Sequence, residues 1–355
     1  MHWAKTLILT CTIPISGCGF GYVFSSAYHQ MTLLSSRVPI EQARRQGDLS
    51  PHELKSLDLI DEVRAYAKEI QLAGSKNFTS IALHWDKTIW NISASDPLSF
   101  NSKTWWFPII GRIPYLGYFS KDAVDNEAKD LKEEGLDVYI RKVGAYSTLG
   151  WFEDPILRQM LEWFEYDLVN LVLHELTHAT IWIPGSVNFN ESFANFVGHE
   201  AAIRFLSQKY GSASHQLETT RKILSDRAQW KTLLEKLYQD LARVYRNPNL
   251  QNSHKLEAKS QLFKSLPAKV EDSTLYNKQR YLSHIQAGTW NNARLAQFKT
   301  YNSNQAYFQI ILDQVGGDLY GFIQAIEKIT DDAENPFSAL QSAAAIIEEN
   351  HPLTP

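Results

Sequence analysis

The chain has 355 residues, of which 44% are hydrophobic, 12% aromatic and 21% charged. This composition excludes a disordered or fibrous protein and is ample for one large domain or two closely packed lobes. A formal net charge of -4 and a pI near 6.3 supply no basic field, so no nucleic-acid partner is expected.

Residues 1–17 read as a signal peptide. Lys5 is the positive flank, and Leu7-Ile8-Leu9-Thr10-Cys11-Thr12-Ile13 is an apolar core too short to cross a bilayer of about 30 Å. Ile15-Ser16-Gly17-Cys18 resembles the bacterial lipobox, in which the cysteine is acylated and becomes the first mature residue; the alternative is an ordinary secretory signal cut after Gly17 or Gly19. The chain has 2 Cys, and Cys11 lies in the segment to be removed, which leaves Cys18 without a disulfide partner. Lipidation at Cys18 would make the membrane a partner and place the protein in the bacterial cell envelope. By the same resemblance, Gly19 in place of Asp implies the outer membrane, facing the periplasm.

Residues 18–50 are expected to be a membrane-proximal tether or helix, with Tyr22, Phe24, Tyr28, Leu33 and Leu34 loosely at helical spacing; it lies back on the main domain or on the membrane surface, and packing on the domain is the preferred reading. Ser50-Pro51-His52-Glu53 is a helix start, with Ser50 as N-cap, Pro51 in the first turn and Glu53 three residues after the cap. Leu54, Leu57, Ile60, Val63, Tyr66 and Ile70 carry an amphipathic stripe onward. Strands are predicted over 79–85, 88–94 and 104–110, and Pro108 to Phe119 reads as a loop or broken hairpin. A helix over 121–134 and a strand over 136–140 complete a strand–helix–strand unit, which predicts a mixed sheet. Asp154-Pro155 predicts a further helix over about 155–166 with Asp154 as its cap.

The segment that carries chemistry is Leu171-Val172-Leu173-His174-Glu175-Leu176-Thr177-His178-Ala179-Thr180, an H-E-x-x-H inside an apolar run, on a helix predicted over 167–181. At about 3.6 residues per turn, His174 and His178 share one face, where two imidazoles can hold one zinc ion. Glu175 lies to the side where a zinc-bound water would sit. In that arrangement zinc brings the water's pKa toward ~7 and polarises a carbonyl, while Glu175 takes the water's proton and passes it to the leaving amine. Two core histidines can match the motif by chance, so the next segment matters. After a loop, Asn190-Glu191-Ser192-Phe193-Ala194 opens a second helix and can bring Glu191 to the metal as third ligand. The alternatives are that Glu191 only stabilises a helix N-terminus, or that Glu200 is the ligand. Tyr146, Tyr301 and Tyr307 are the candidates for holding the oxyanion, and spacing does not choose among them.

His174-Glu175-Leu176-Thr177-His178 followed by Asn190-Glu191-Ser192-Phe193-Ala194 resembles the gluzincins, the HExxH metallopeptidases whose third ligand is a glutamate. The gap between His178 and Glu191 is shorter than in thermolysin and the large aminopeptidases. The chain is more closely similar to the bacterial predicted-aminopeptidase lipoprotein family. The resemblance is carried by Trp105 to Tyr115, Gly117-Tyr118-Phe119, Gly135 to Val138, Ala145 to Phe152, both zinc segments and Asn291 to Ala296. It implies a zinc metallopeptidase, an aminopeptidase by the family's name, with a peptide as substrate. The aromatic segment 105–119 is either a cleft edge that pairs with an extended peptide or a structural hairpin.

From Ala201 onward the pattern is helical, with breaks near Gly211, Asn247-Pro248 and Gly316-Gly317. The Asn291-Asn292 pair reads either as a contact near the site or as a buried structural amide. The expected fold is therefore α+β and zincin-like: a small mixed sheet packed on the zinc-binding helix, with a largely helical C-terminal half. Residues 51–355 are expected to form one zinc-peptidase domain, with an α/β lobe over 51–150 and a mainly helical lobe over 151–355 that carries the site. The competing functions are a non-proteolytic zinc-binding envelope scaffold and a zinc amidase acting on peptidoglycan peptides. Oligomeric state is not legible in the sequence.

Overall fold

The computed structural model describes residues 31–74, 76–85, 87–107, 111–143, 153–300 and 304–350. The leader with Cys18, the segment holding Tyr146, and Tyr301 lie outside these residues. The described elements, in order, are β1 (Val38–Pro39), α1 (Ile40–Gln46), α2 (Pro51–Glu69), β2 (Ser80–Ala82), β3 (Ile89–Ser95), β4 (Trp105–Phe107), β5 (Gly111–Ile113), β6 (Leu116–Tyr118), α3 (Lys121–Glu133), β7 (Asp137–Val143) and β8 (Ile156–Leu157). A short 3-10 helix (Arg158–Glu162) leads into α4 (Glu165–Thr180) and α5 (Val187–Tyr210). The rest is helical: α6 (His215–Arg246), α7 (Asn252–Lys264), α8 (Leu266–Glu271), α9 (Lys278–Gln286), α10 (Asn292–Thr300), α11 (Gln305–Gln314), α12 (Leu319–Thr330) and α13 (Pro336–Asn350). The architecture is mixed α+β, dominated by helix.

Helix α2 starts where its sequence says it should. Glu53 N donates to Ser50 Oγ at 3.2 Å, and Ser50 N donates back to Glu53 Oε2 at 2.8 Å, so two otherwise orphaned backbone donors are satisfied. Glu53 also receives Arg158 Nε at 2.6 Å, which ties the start of α2 to the 3-10 turn before α4. Leu33, Ile40 and Ala43 are buried in the same core as α2 and α4.

The described strands form three small sheets rather than the single mixed sheet expected. Strand β3 pairs antiparallel with β6 on one edge and with β7 on the other, from Ile89 opposite Val143 to Ser95 opposite Asp137. The strand–helix–strand unit is β6–α3–β7, whose parallel strands flank β3. Its antiparallel insertion makes this sheet antiparallel throughout. The mixed sheet is the β1–β2–β8 one, antiparallel at β1–β2 and parallel at β2–β8. Strands β4 and β5 form a separate hairpin.

The helix predicted over 155–166 is also corrected. Ile156 and Leu157 are fully buried and pair in parallel with Ile81 and Ala82. The backbone of Asp154 is engaged on the same partner, accepting from Phe78 N at 2.8 Å and donating to Asn77 Oδ1 at 3.3 Å. Sheet pairing therefore takes the backbone groups a helix would need, and only one 3-10 turn forms before α4.

The largest core joins α2, α4, α5 and α11–α13, with Phe189, Phe193, Phe308 and Phe322 fully buried at its centre. A second core fills the helical region around Leu237, Leu241, Leu266 and Val270, and a third lies between α3 and the β3 sheet. The Asn291-Asn292 pair proves to be a structural joint between the sheet and the helical region. Asn292 Nδ2 donates to the carbonyls of Asp96, Pro97 and Ser99, Asn292 N donates to Asp137 Oδ2, and Asn291 Nδ2 donates to Val138 O. Lys259, buried, closes the same joint on Asp137 at 2.5 Å. Among the described residues, no helix is long and apolar enough to cross a membrane.

Candidate metal centre

Helix α4 buries Leu168, Val169, Val172, Leu173 and Leu176, and carries Glu165 and Asp167 in its first turn, where the helix dipole favours negative charge. His174 and His178 project one turn apart on a buried face, with ring centroids 4.6 Å apart. Helix α5 crosses α4 at this level, and Gly198 permits the approach. A Cβ on Gly198 would stand 2.7 Å from Asn170 Oδ1, 3.0 Å from Asn170 O and 3.2 Å from His174 Cβ.

The loop between these helices, residues 181–186, is held by one side chain. Asn190 Oδ1 accepts from Ile183 N at 3.0 Å, and Asn190 Nδ2 donates to Ile183 O at 2.8 Å. The loop also carries Gly185 at φ +78°, against which Gly111 of β5 packs so closely that a Cβ on Gly111 would meet Gly185 N and Cα at 3.3 Å. This contact seats the aromatic hairpin on the loop. Helix α5 begins at Val187, earlier than the sequence pattern indicates, so Glu191 stands in its second turn. The first turn of the helix therefore holds no acidic residue, and the first-turn account of Glu191 does not apply.

Glu191 Oε2 lies 3.4 Å from His174 Nε2 and 3.6 Å from His178 Nε2. Ligand atoms about 2.0–2.1 Å from a tetrahedral zinc stand roughly 3.3 Å apart, so this spacing fits one ion. All three residues are buried, and one ligand atom from each lies within 4.8 Å of the others. The electrostatics ask for a cation. Burial opposes ionisation of Glu191, but hydrogen bonds and charge from the two imidazoles outweigh it and hold the carboxyl far below the usual range. Burial likewise works against protonation of His174, yet Glu191 and Glu175 raise its pKa above the ordinary value.

Three further groups surround the cluster. Tyr115, in the β5–β6 link, donates its hydroxyl to Glu191 Oε1 at 3.4 Å. Asn195, one turn beyond Glu191, hydrogen-bonds His174. Trp182 sets its ring edge-on to His178, with centroids 5.4 Å apart. Glu175 Oε2 is buried and has no hydrogen-bond partner among the described residues. A bare carboxylate oxygen is costly to bury, and it is suited to accept a proton from a water or substrate placed beside it.

The other sequence candidates lie elsewhere. Glu200 pairs with Arg204 at 3.6 Å, and its neighbour His199 meets the Tyr166 hydroxyl at 2.7 Å. Burial is the first cause that lowers the His199 pKa. Tyr307 is half-buried against the main core on α11. Sequence reasoning did not single out Tyr115 or Asn195: Tyr115 stood inside the noted aromatic segment without a role, and Asn195 follows Glu191 by the four-residue spacing that keeps a helix face. A cleft of about 710 Å³ opens one turn before Glu191, between Val187 and Asn188, Arg112 and Pro114, and Tyr238 and Phe337. The histidines and Glu191 are not in its walls.

Fold and site together define an α+β protein with a buried His-His-Glu cluster able to hold a metal ion. The chain belongs to the family described as "Putative aminopeptidase", whose profile matches residues 21–338. None of the curated proteins and none of the solved structures compared with it matches.

Proposed function

We propose that the protein is a zinc-dependent metallopeptidase of zincin-like type, with His174, His178 and Glu191 as the metal ligands and Glu175 as the general base. The observation that carries this reading is the convergence of both imidazole Nε2 atoms on one oxygen of Glu191. Two nitrogens and one carboxylate oxygen suit zinc, and three protein ligands leave a coordination position open. A zinc ion there would acidify a water and polarise the scissile carbonyl. Glu175 takes the proton of the attacking water at its buried Oε2 and returns it to the departing amine, a role worth roughly 10²–10⁴-fold in rate. The family description supports cleavage from the amino end. The leader supports a lipid anchor at Cys18 and a place at the outer membrane, facing the periplasm.

The test is zinc-loaded protein on a peptide library with free and blocked amino termini, with cleavage sites mapped by mass spectrometry. Wild type should cut in a chelator-sensitive way and prefer free amino ends. Glu175→Gln should keep its zinc and lose activity by at least about 10²-fold. No zinc-dependent cleavage by the wild type would leave the scaffold function in its place. Incorporation of a palmitate analogue by wild type and not by Cys18→Ser tests the anchor.

A further inference from the structure

We infer that Tyr115 is a positioning residue of the metal centre: its hydroxyl holds the outer oxygen of Glu191 so that the inner one faces both histidines. The inference rests on the metallopeptidase reading and adds to it a residue from a different part of the fold.

The two oxygens of Glu191 have separate partners. Oε2 faces His174 and His178 at 3.4 and 3.6 Å, and Oε1 faces the Tyr115 hydroxyl at 3.4 Å. A glutamate carboxylate turns readily about its last torsion, which has broad, roughly two-fold wells. Turning it would exchange the oxygens or present both to the metal and so close the open coordination position. A hydroxyl on one oxygen breaks that symmetry and favours the single-oxygen arrangement. Partners of this kind fix ligand orientation, and their loss typically costs 10–100-fold in metal affinity.

The placement of Tyr115 is built into the fold. Its ring packs against the third core, the cluster that also includes Val187 and receives Trp182. Strand β6, immediately after it, is bonded to β3, while β5 before it rests through Gly111 on Gly185. The hairpin segment is thus anchored on both sides of Tyr115, and the loop it rests on is the one that delivers Glu191. The contact links a sheet residue to the helix pair, so it reports whether that segment is seated.

The test is zinc affinity of purified protein, measured by competition with a chromophoric chelator, together with the visible spectrum of the cobalt-substituted form. Tyr115→Phe should bind zinc about 10–100-fold more weakly and shift the cobalt bands, with the melting temperature of the metal-free protein unchanged. In a Glu191→Ala background, where the same competition reads the weak residual affinity of the two histidines, the change should have no further effect. Equal affinity and identical cobalt spectra for wild type and Tyr115→Phe would overturn the inference and leave the metal site intact. An equal loss with and without Glu191 would overturn it too, because the effect would not run through that carboxylate. A wild type that binds neither metal would overturn both this inference and the reading beneath it.

Discussion

The side-chain amide of Asn190 grips the backbone of Ile183 in both directions, accepting from its N–H at 3.0 Å and donating to its carbonyl at 2.8 Å. This pair clamps the loop between α4 and α5 one residue before Glu191. Asn190→Ala should destabilise the protein by on the order of 2 kcal/mol, since two hydrogen bonds are lost and their backbone partners are left enclosed. Asn190→Asp should be no milder, because a carboxylate cannot donate to the Ile183 carbonyl. Denaturant midpoints and bound zinc, measured on the same preparations, check both expectations.

The ligand assignment predicts a sharp contrast between two glutamates of α5. His178→Ala and Glu191→Ala should come through dialysis without metal, while Glu200→Ala, which loses the Arg204 pair, should retain about one zinc per chain. Bound metal should also stabilise the fold, by ~4 kcal/mol when free zinc exceeds its dissociation constant a thousandfold. A chelator should therefore lower the melting temperature of wild type and leave that of Glu191→Ala unmoved. Loss of zinc from the Glu200 variant alone would reverse the assignment.

Gly198→Ala sets helix propensity against packing. Alanine favours the helix by up to about 1 kcal/mol, but overpacking a tight contact costs roughly 1–3 kcal/mol. Asn170 Oδ1 can move from the 2.7 Å contact, whereas Asn170 O at 3.0 Å and His174 Cβ at 3.2 Å belong to the metal helix itself. Packing should win, with a net loss of about 1–2 kcal/mol and weaker zinc binding as α5 is pushed away from α4. Calorimetry and metal titration of this one variant provide the check.

A pH effect on stability should come from Glu53. The Arg158 guanidinium is the main cause that holds its carboxyl below the ordinary value, despite burial, and the capping bonds from Ser50 add to this. A folded pKa below the unfolded one, about 4.3, contributes stability that is complete above that value. The contribution disappears as pH falls through the depressed folded pKa. Glu53→Gln should therefore be less stable than wild type at pH 7, by about 1–2 kcal/mol, and the gap should narrow below pH 4. Urea melts at several pH values would show it; a constant gap would contradict it.

Much of the site was legible because its geometry is local. His174 and His178 share a face by helical periodicity alone, and Ser50 to Glu53 wrote the start of α2 in four residues. The boundary of α5 was less legible: Ser186 is a favoured N-cap type, but it makes no side-chain capping bond and no acidic residue follows it in the first turn, and so Glu191 was placed one turn too early in its helix. Ile156-Leu157 misled because its strand exists only by pairing with Ile81 and Ala82, a partner some seventy residues away in sequence. The Asn291-Asn292 pair was visible as a feature, but its work as a joint on Asp137 and on three carbonyls depends on chain segments the local sequence does not name.

The sequence by itself determined the two imidazoles, the glutamate between them and an acidic residue within reach on the next helix, because helix spacing and donor chemistry are properties of short segments. Only the tertiary structure decided which glutamate meets them, Glu191 rather than Glu200, and that Tyr115 from the sheet side reaches the same carboxylate. Those are long-range relationships: they follow from the close crossing of α4 and α5 at Gly198 and the seat of Gly111 on Gly185, where the packing of whole elements selects which side chains converge.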